Sequence, residues 1–236
     1  KQLSFMQENP EMVLSKTLVN FFPDTIDIEK TKRYSTFKNY LEPYKNNTKT
    51  PQQIVERLKW YSCIPHTSII IKKDIIKKFY YRDIPVAEDY DLFYRMNEEG
   101  LLMGSIDEIL VETRVSANST TVKEKKTFDK CIYFIKEKNL NQFKQNESIF
   151  IWGAGSFGQS VLEVLIEKGW NIQGFIDSDK QKEGSIIKEY KVYSTDVIEQ
   201  SKKNKVIVAS QPGMFEIISF LKEKGYKTEE DFMVYR

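Results

Sequence analysis

Two places in this sequence combine residue type and spacing in ways that point to chemistry. The first is the adjacent carboxylate pair Glu88-Asp89, and the second is the turn Gly153-Ala154-Gly155-Ser156-Phe157-Gly158. A carboxylate within hydrogen-bond reach of a hydroxyl acts as a general base, so Asp89 is the candidate to take a proton, with Glu88 shaping or capping the site. Acidic residues at a helix mouth are equally explained by capping and the helix dipole, and the pair alone does not choose between these readings. Asp91 and Arg95 fall on the same run and read as solvated or ion-paired residues, or as direct participants. In the glycine turn, Gly153 permits a tight bend, Gly155 lets a phosphate approach the backbone, and Gly158 lets a helix pack on a strand. Asp177 ends the next strand about twenty residues later, where a ribose-binding acid belongs. A helix N-terminus there offers N–H groups to an anion. The competing reading is a close strand-to-helix turn with no ligand.

Two further features qualify these sites. Asp177-Ser178-Asp179 spells a metal-binding Asp-x-Asp, but it follows the glycine turn and its helix rather than a donor-binding strand, which argues against a metal there. The single histidine, His66, reads as a structural residue beside a cleft rather than as a metal ligand. Cys63 and Cys131 have no metal-ligand spacing and suit reduced thiols in the cytoplasm.

The elements that must position these residues fall into two groups. A chain of 236 residues is comfortable as two domains, and 40% hydrophobic with 30% charged residues is an ordinary globular composition. Basic residues exceed acidic ones by 36 to 34, without a long run, which argues against nucleic acid and leaves room for a lysine patch on acidic lipid. No stretch approaches the ~18 apolar residues that span a bilayer. The start at Lys1-Gln2 is expected to lie inside a longer protein.

Residues 11–22 read as a strand ending at Pro23-Asp24, and Pro51 to Cys63 as a helix with Ile54, Val55, Leu58 and Tyr61 at helical spacing. Thr67 to Ile71 reads as a buried strand, passing into a short helix from Lys73 to Ile76. A helix opens near Glu88-Asp89, runs through Leu92, Phe93 and Met96 and stops at Gly100, and residues 105–115 form a strand. Ser116 to Thr121 is small and polar, and Phe128, Ile132 and Ile135 mark a connecting helix. From Ile149 the order becomes strand, glycine turn, helix, strand, with later strands at Val206–Ala209 and Phe232–Val234, which implies a parallel sheet. The expected domains are residues 1–121, a connector at 122–147, and residues 148–236. The expected fold class is α/β, with a small Rossmann-like parallel-sheet domain in the second half.

Three blocks in order carry a resemblance: Ile64 to Lys73, Ala87-Glu88-Asp89-Tyr90-Asp91-Leu92-Phe93-Tyr94-Arg95-Met96, and Ile106 to Arg114. Together with Lys1 to Met6 and Asn9-Pro10, they resemble the acceptor-side half of family 2, GT-A-type glycosyltransferases over residues 1–121. The resemblance implies inverting transfer from a nucleotide diphosphate sugar to a hydroxyl of a glycan or lipid-linked acceptor in surface polysaccharide synthesis. It also implies Asp89 as general base, with His66 and Arg114 at the acceptor site. The implied place is the cytoplasm, at the inner face of the membrane through peripheral contact. Thr113 stands where the family has tyrosine, and Ser116 where many members have histidine. The divalent metal of the family, Mg or Mn, is held by an Asp-x-Asp that would precede Lys1, so its ligands are not in this chain, which is expected to be inactive alone.

The second half, with Gly153 to Gly158, Gly174 to Asp179, Val192-Tyr193 and Val206 to Ser210, resembles the nucleotide-sugar-binding N-terminal domain of sugar acyltransferases over residues 148–236. It implies a nucleotide or nucleotide-sugar ligand. About ninety residues make one mononucleotide half of the dinucleotide fold, so NAD is not favoured. A non-catalytic binding or scaffold module is the alternative function.

Overall fold

The computed structural model describes residues 1–117, 125–145, 148–200, 204–211 and 213–236. The polar stretch from Asn118 to Thr121 and the joins at Asn146-Glu147 and Pro212 lie outside the described residues. The protein is α/β and forms two compact units, Lys1–Cys131 and Ile132–Arg236. This division falls inside the expected connector. The helix Lys125–Phe143 runs across it, and Ile132, Tyr133, Ile135, Leu140 and Phe143 are buried. Within the second unit, Lys136 Nζ donates to Val234 O at 2.7 Å and Trp170 Nε1 to Tyr133 Oη at 3.3 Å.

The first unit is built on β1 (Leu14–Pro23), whose β-branched and aromatic residues suit a central strand. It pairs antiparallel with β2 (Ile70–Ile71) and parallel with β3 (Met103–Val115), in the order β2-β1-β3. Only Leu14 and Ser15 reach β2, so most of that edge of β1 needs other partners. Side chains supply them. Asn46 both accepts from Val19 N at 3.0 Å and donates to Val19 O at 2.8 Å, and Glu42 accepts from Phe21 N at 2.6 Å. Asn46 and Glu42 belong to the last of several short helical turns, Ile26–Glu29, Lys32–Thr36, Phe37–Leu41 and Glu42–Asn46, in a segment where the sequence pattern defines no element. Edge groups met in this way are not left as a template for another strand.

The helix Pro51–Leu58 begins at Pro51 as expected and is closed by a reciprocal Thr50–Gln53 capping box, but it ends at Leu58, short of the expected Cys63, so that Tyr61 lies beyond it. The strand expected over Thr67–Ile71 is a correction: only Ile70–Ile71 is strand, and His66–Ser68 is a 3-10 turn. Ser68 drives the change, because its hydroxyl donates to Pro65 O at 2.8 Å and closes the turn locally. Ile70 is exposed rather than buried. The helix Lys73–Phe79 follows, then Glu88–Glu98, after which Gly100 takes a φ of 70°.

The second unit carries β4 (Ile149–Trp152), β5 (Ile172–Ile176), β6 (Ile186–Ile187), β7 (Tyr190–Tyr193), β8 (Lys205–Val208) and β9 (Phe232–Val234). Their order is β6-β7-β5-β4-β8-β9, and every pair is parallel except β6 with β7. The five parallel strands thus run third-second-first-fourth-fifth, an arrangement compatible with a Rossmann-like fold. Near-continuous apolar strands such as Ile149–Trp152, buried throughout, are what a parallel sheet covered on both faces requires. The chain winds outward from β4 in one direction, then returns to β8 on its other side. In open α/β sheets ligands bind at such a reversal, which here falls at the carboxyl ends of β4 and β8.

Among the described residues no helix is long and apolar enough to cross a membrane. Cys63 and Cys131 are buried and form no disulfide, and burial pushes the Cys63 thiol up to about 11 despite the opposing charge of Lys16.

Candidate functional site

Glu88 and Asp89 open the helix Glu88–Glu98, behind Ala87 in a left-handed conformation at φ 63°. The first turn holds three carboxylates, those of Glu88, Asp89 and Asp91, and the structure separates their roles. Asp91 is fully buried between two guanidinium groups: Arg82 makes a paired contact to it, and Arg95 Nε meets Oδ2 at 2.9 Å. Arg95 also donates to Phe79 O at 2.6 Å and Tyr80 O at 2.7 Å. Asp91 and Arg95 therefore join the start of this helix to the end of the preceding one. Asp89 is only half-buried; its Oδ1 accepts from Tyr90 N at 2.7 Å, and Oδ2 has no hydrogen bond among the described residues.

His66 stands at the same place. Its Nε2 lies 2.7 Å from Tyr81 Oη, and its ring packs edge-on to Phe93 at 6.1 Å on the Glu88–Glu98 helix. Burial, then the charges of Asp89 and Glu88, raise the Tyr81 hydroxyl above its ordinary pKa. Tyr81 belongs to no periodic pattern, and only the folded chain brings it to His66. The His66 turn also touches the end of β3, where Thr67 Oγ1 lies 3.2 Å from Thr113 Oγ1. Arg114, the next residue, is exposed and directed to Asp24 at 3.4 Å. His66, Tyr81, Glu88 and Asp89 thus gather in one place, with Arg114 paired at the strand end nearby.

In the second unit the glycine turn lies at the reversal of strand order. Gly153 has a φ of 123°, and a side chain there would meet Ala209 O at 2.5 Å. A Cβ on Gly158 would lie 1.7 Å from Gly153 O. Both positions require glycine for the fold alone. Gly155 does not, since nothing lies within 4 Å of where its Cβ would be. It caps the helix Ser156–Glu167 without a side chain, so the first N–H groups of that helix face an open approach. Ser210, just after β8, approaches from the other side, its Cβ 3.4 Å from the position of a Gly153 Cβ.

Asp177 is committed to this turn. Its carboxylate accepts from Ala154 N at 2.9 Å, Asp179 N at 3.0 Å and Lys182 Nζ at 3.0 Å. Burial raises its pKa, but these N–H donors and the Lys182 charge outweigh it and hold Asp177 below the usual carboxylate range. Asp179 in turn caps Gln181 N at 3.0 Å. Both carboxylates of the Asp-x-Asp triplet are therefore engaged in loop structure, and this pair does not fit the metal site of a GT-A enzyme. Among the described residues no three His, Cys, Asp or Glu side chains gather as a metal set.

A family model described as C2185-like, N-terminal, matches residues 145–230. No curated protein matches the chain. Among solved structures, UDP-D-quinovosamine 4-dehydrogenase from Vibrio fischeri is 24% identical over 35% of this chain and 75% of its own, with a TM-score of 0.29. RSP, a Rex-family repressor, is 14% identical over 67% of this chain and 78% of its own, with a TM-score of 0.31. Its complex with β-NAD+ and operator DNA gives 13%, 70% and 85%, with a TM-score of 0.32.

Proposed function

We propose that this chain is the acceptor-side part of a family 2, GT-A-type inverting glycosyltransferase, joined to a Rossmann-like module that takes a nucleotide or nucleotide sugar. The observation that carries the first half is the division of labour at one helix mouth. Asp91 is consumed by two arginines, whereas Asp89 keeps a carboxylate oxygen without a hydrogen bond among the described residues, and its charge acts on Tyr81, the partner of His66. Asp89 takes the proton of the acceptor hydroxyl as that oxygen attacks the anomeric carbon of the donor, and the nucleoside diphosphate leaves on the opposite side. Glu88 and the His66–Tyr81 pair orient the acceptor. A divalent metal, held by the donor-binding half of such an enzyme, would neutralise the departing diphosphate. A lipid-linked or glycan acceptor in surface polysaccharide synthesis, met at the inner face of the membrane, fits this reading.

The test is made in the polypeptide that joins this chain to its donor-binding half. Asp89→Asn should lower transfer by about 10²–10⁴-fold without moving the unfolding midpoint. Near-wild-type turnover by that variant refutes the assignment.

A second reading, a nucleotide-binding or scaffold module without catalysis of its own, is favoured by Gly155, the one glycine of the turn that the fold does not require. Calorimetric titration with UDP, UDP-sugars and NAD, with and without magnesium, should show nucleotide binding that Gly155→Val removes. Silence at millimolar ligand refutes it.

A further inference from the structure

The helix Lys73–Phe79 buries Phe79 and turns Lys73, Asp74, Lys77 and Lys78 outward. At about 100° per residue these four positions share one face. Lys73 and Lys77 make no ion pair among the described residues, and the Lys78 ammonium stands over the Phe79 ring at 5.3 Å. Lys72, by contrast, is spent on the fold, donating to Pro10 O. Residues 72–83 contain five basic and two acidic side chains, a larger excess than that of the whole chain, so the remainder is slightly acidic. On the face itself three lysines stand against the single carboxylate of Asp74, which makes it positively charged.

An exposed aromatic residue ends the same helix. Tyr80 has a φ of 27° and is 64% exposed. A positive φ is disfavoured for tyrosine, yet Arg95 holds it by binding the Phe79 and Tyr80 carbonyls while itself anchored on buried Asp91. The fold holds an aromatic ring in water at the rim of a lysine face. Amphipathic aromatic rings belong at the level of lipid headgroups, and lysines beside them are drawn to acidic lipid.

We propose that Lys73, Lys77, Lys78 and Tyr80 form a docking surface for an anionic phospholipid bilayer. The surface stands independently of the catalytic reading. Taken with that reading, it brings the neighbouring Tyr81, His66 and Asp89 next to the membrane, where a lipid-linked acceptor would present its hydroxyl.

The test is co-sedimentation of the full chain with vesicles of phosphatidylcholine containing about one-third phosphatidylglycerol, at about 0.1 M salt, where exposed charges separated by more than about 10 Å are screened. Wild type should bind these vesicles and not pure phosphatidylcholine. Each lysine near an anionic surface contributes about fivefold, so Lys73→Gln/Lys77→Gln should weaken partitioning about 25-fold. Tyr80→Ser should weaken it and Tyr80→Trp restore it, with the far-UV circular dichroism of all variants unchanged. The proposal is overturned if wild type fails to bind, if it binds pure phosphatidylcholine equally, or if either weakening variant keeps wild-type partitioning. Equal affinity for single-stranded RNA, lost in the same lysine variant, would overturn it too by making the face a general anion patch. None of these readouts depends on sugar transfer.

Discussion

The glycine turn makes a prediction that separates fold from ligand within six residues. In Gly158→Ala the new Cβ would lie 1.7 Å from the Gly153 carbonyl oxygen, half the 3.4 Å at which ordinary contact begins. That atom is backbone, held between β4 and its neighbours, and it has no rotamer to escape into. Overpacking a tight core costs about 1–3 kcal/mol, and forcing strand and helix apart takes the upper end, about 3 kcal/mol. For a unit of about a hundred residues this lowers the midpoint by about 15 °C, at ~4–8 °C per kcal/mol. Gly155→Ala meets nothing within 4 Å and weakens only the helix cap, by at most about 1 kcal/mol. Thermal unfolding followed by calorimetry and tryptophan fluorescence reads both, since Trp152 and Trp170 lie in the second unit and Trp60 in the first. The reasoning is refuted if Gly158→Ala unfolds with wild type, or if Gly155→Ala falls as far as Gly158→Ala.

Asp91→Asn should destabilise the first unit by about 3 kcal/mol, because it leaves two guanidinium groups beside a fully buried neutral side chain; denaturant titration reads this, and a loss below ~1 kcal/mol contradicts a structural role. Lys136 gives a pH signature. Burial, opposed by Glu229, pushes its ammonium down to about 7. Between that pH and the ordinary lysine range the unfolded chain holds the proton and the folded one does not, so stability should rise with pH, by up to about 1.4 kcal/mol per unit. Below about pH 7 both states are charged and the full burial penalty applies. Lys136→Met should flatten this rise in unfolding measured from pH 7 to 9, and an unchanged slope would contradict it.

Much of the local structure was written in the sequence. Thr50 and Gln53 close their capping box within four residues, Gly100 ends its helix where periodicity stops, and the spacing from Gly153 to Asp177 foretold a strand, turn, helix and strand. These are short-range agreements between residue type and backbone geometry, so adjacent residues suffice to show them. The Ser68 turn replaced an expected strand because one hydroxyl offered the backbone a nearer partner than the sheet did. The helix Lys125–Phe143 spans the division between the two units and buries Ile132, Tyr133, Ile135, Leu140 and Phe143.

The sequence by itself therefore determined the order of elements, the glycine turn and the candidacy of Asp89. Only the tertiary structure decided which carboxylate is structural, that Tyr81 stands beside His66, that Asp177 is tied to Ala154, and that Asn46 and Glu42 complete the edge of β1. These are pairings between residues 9 to 27 positions apart or more, made where sheets and helices meet. No local propensity encodes such pairings, because whether a charged or polar side chain is free or consumed depends on which partner packing delivers to it.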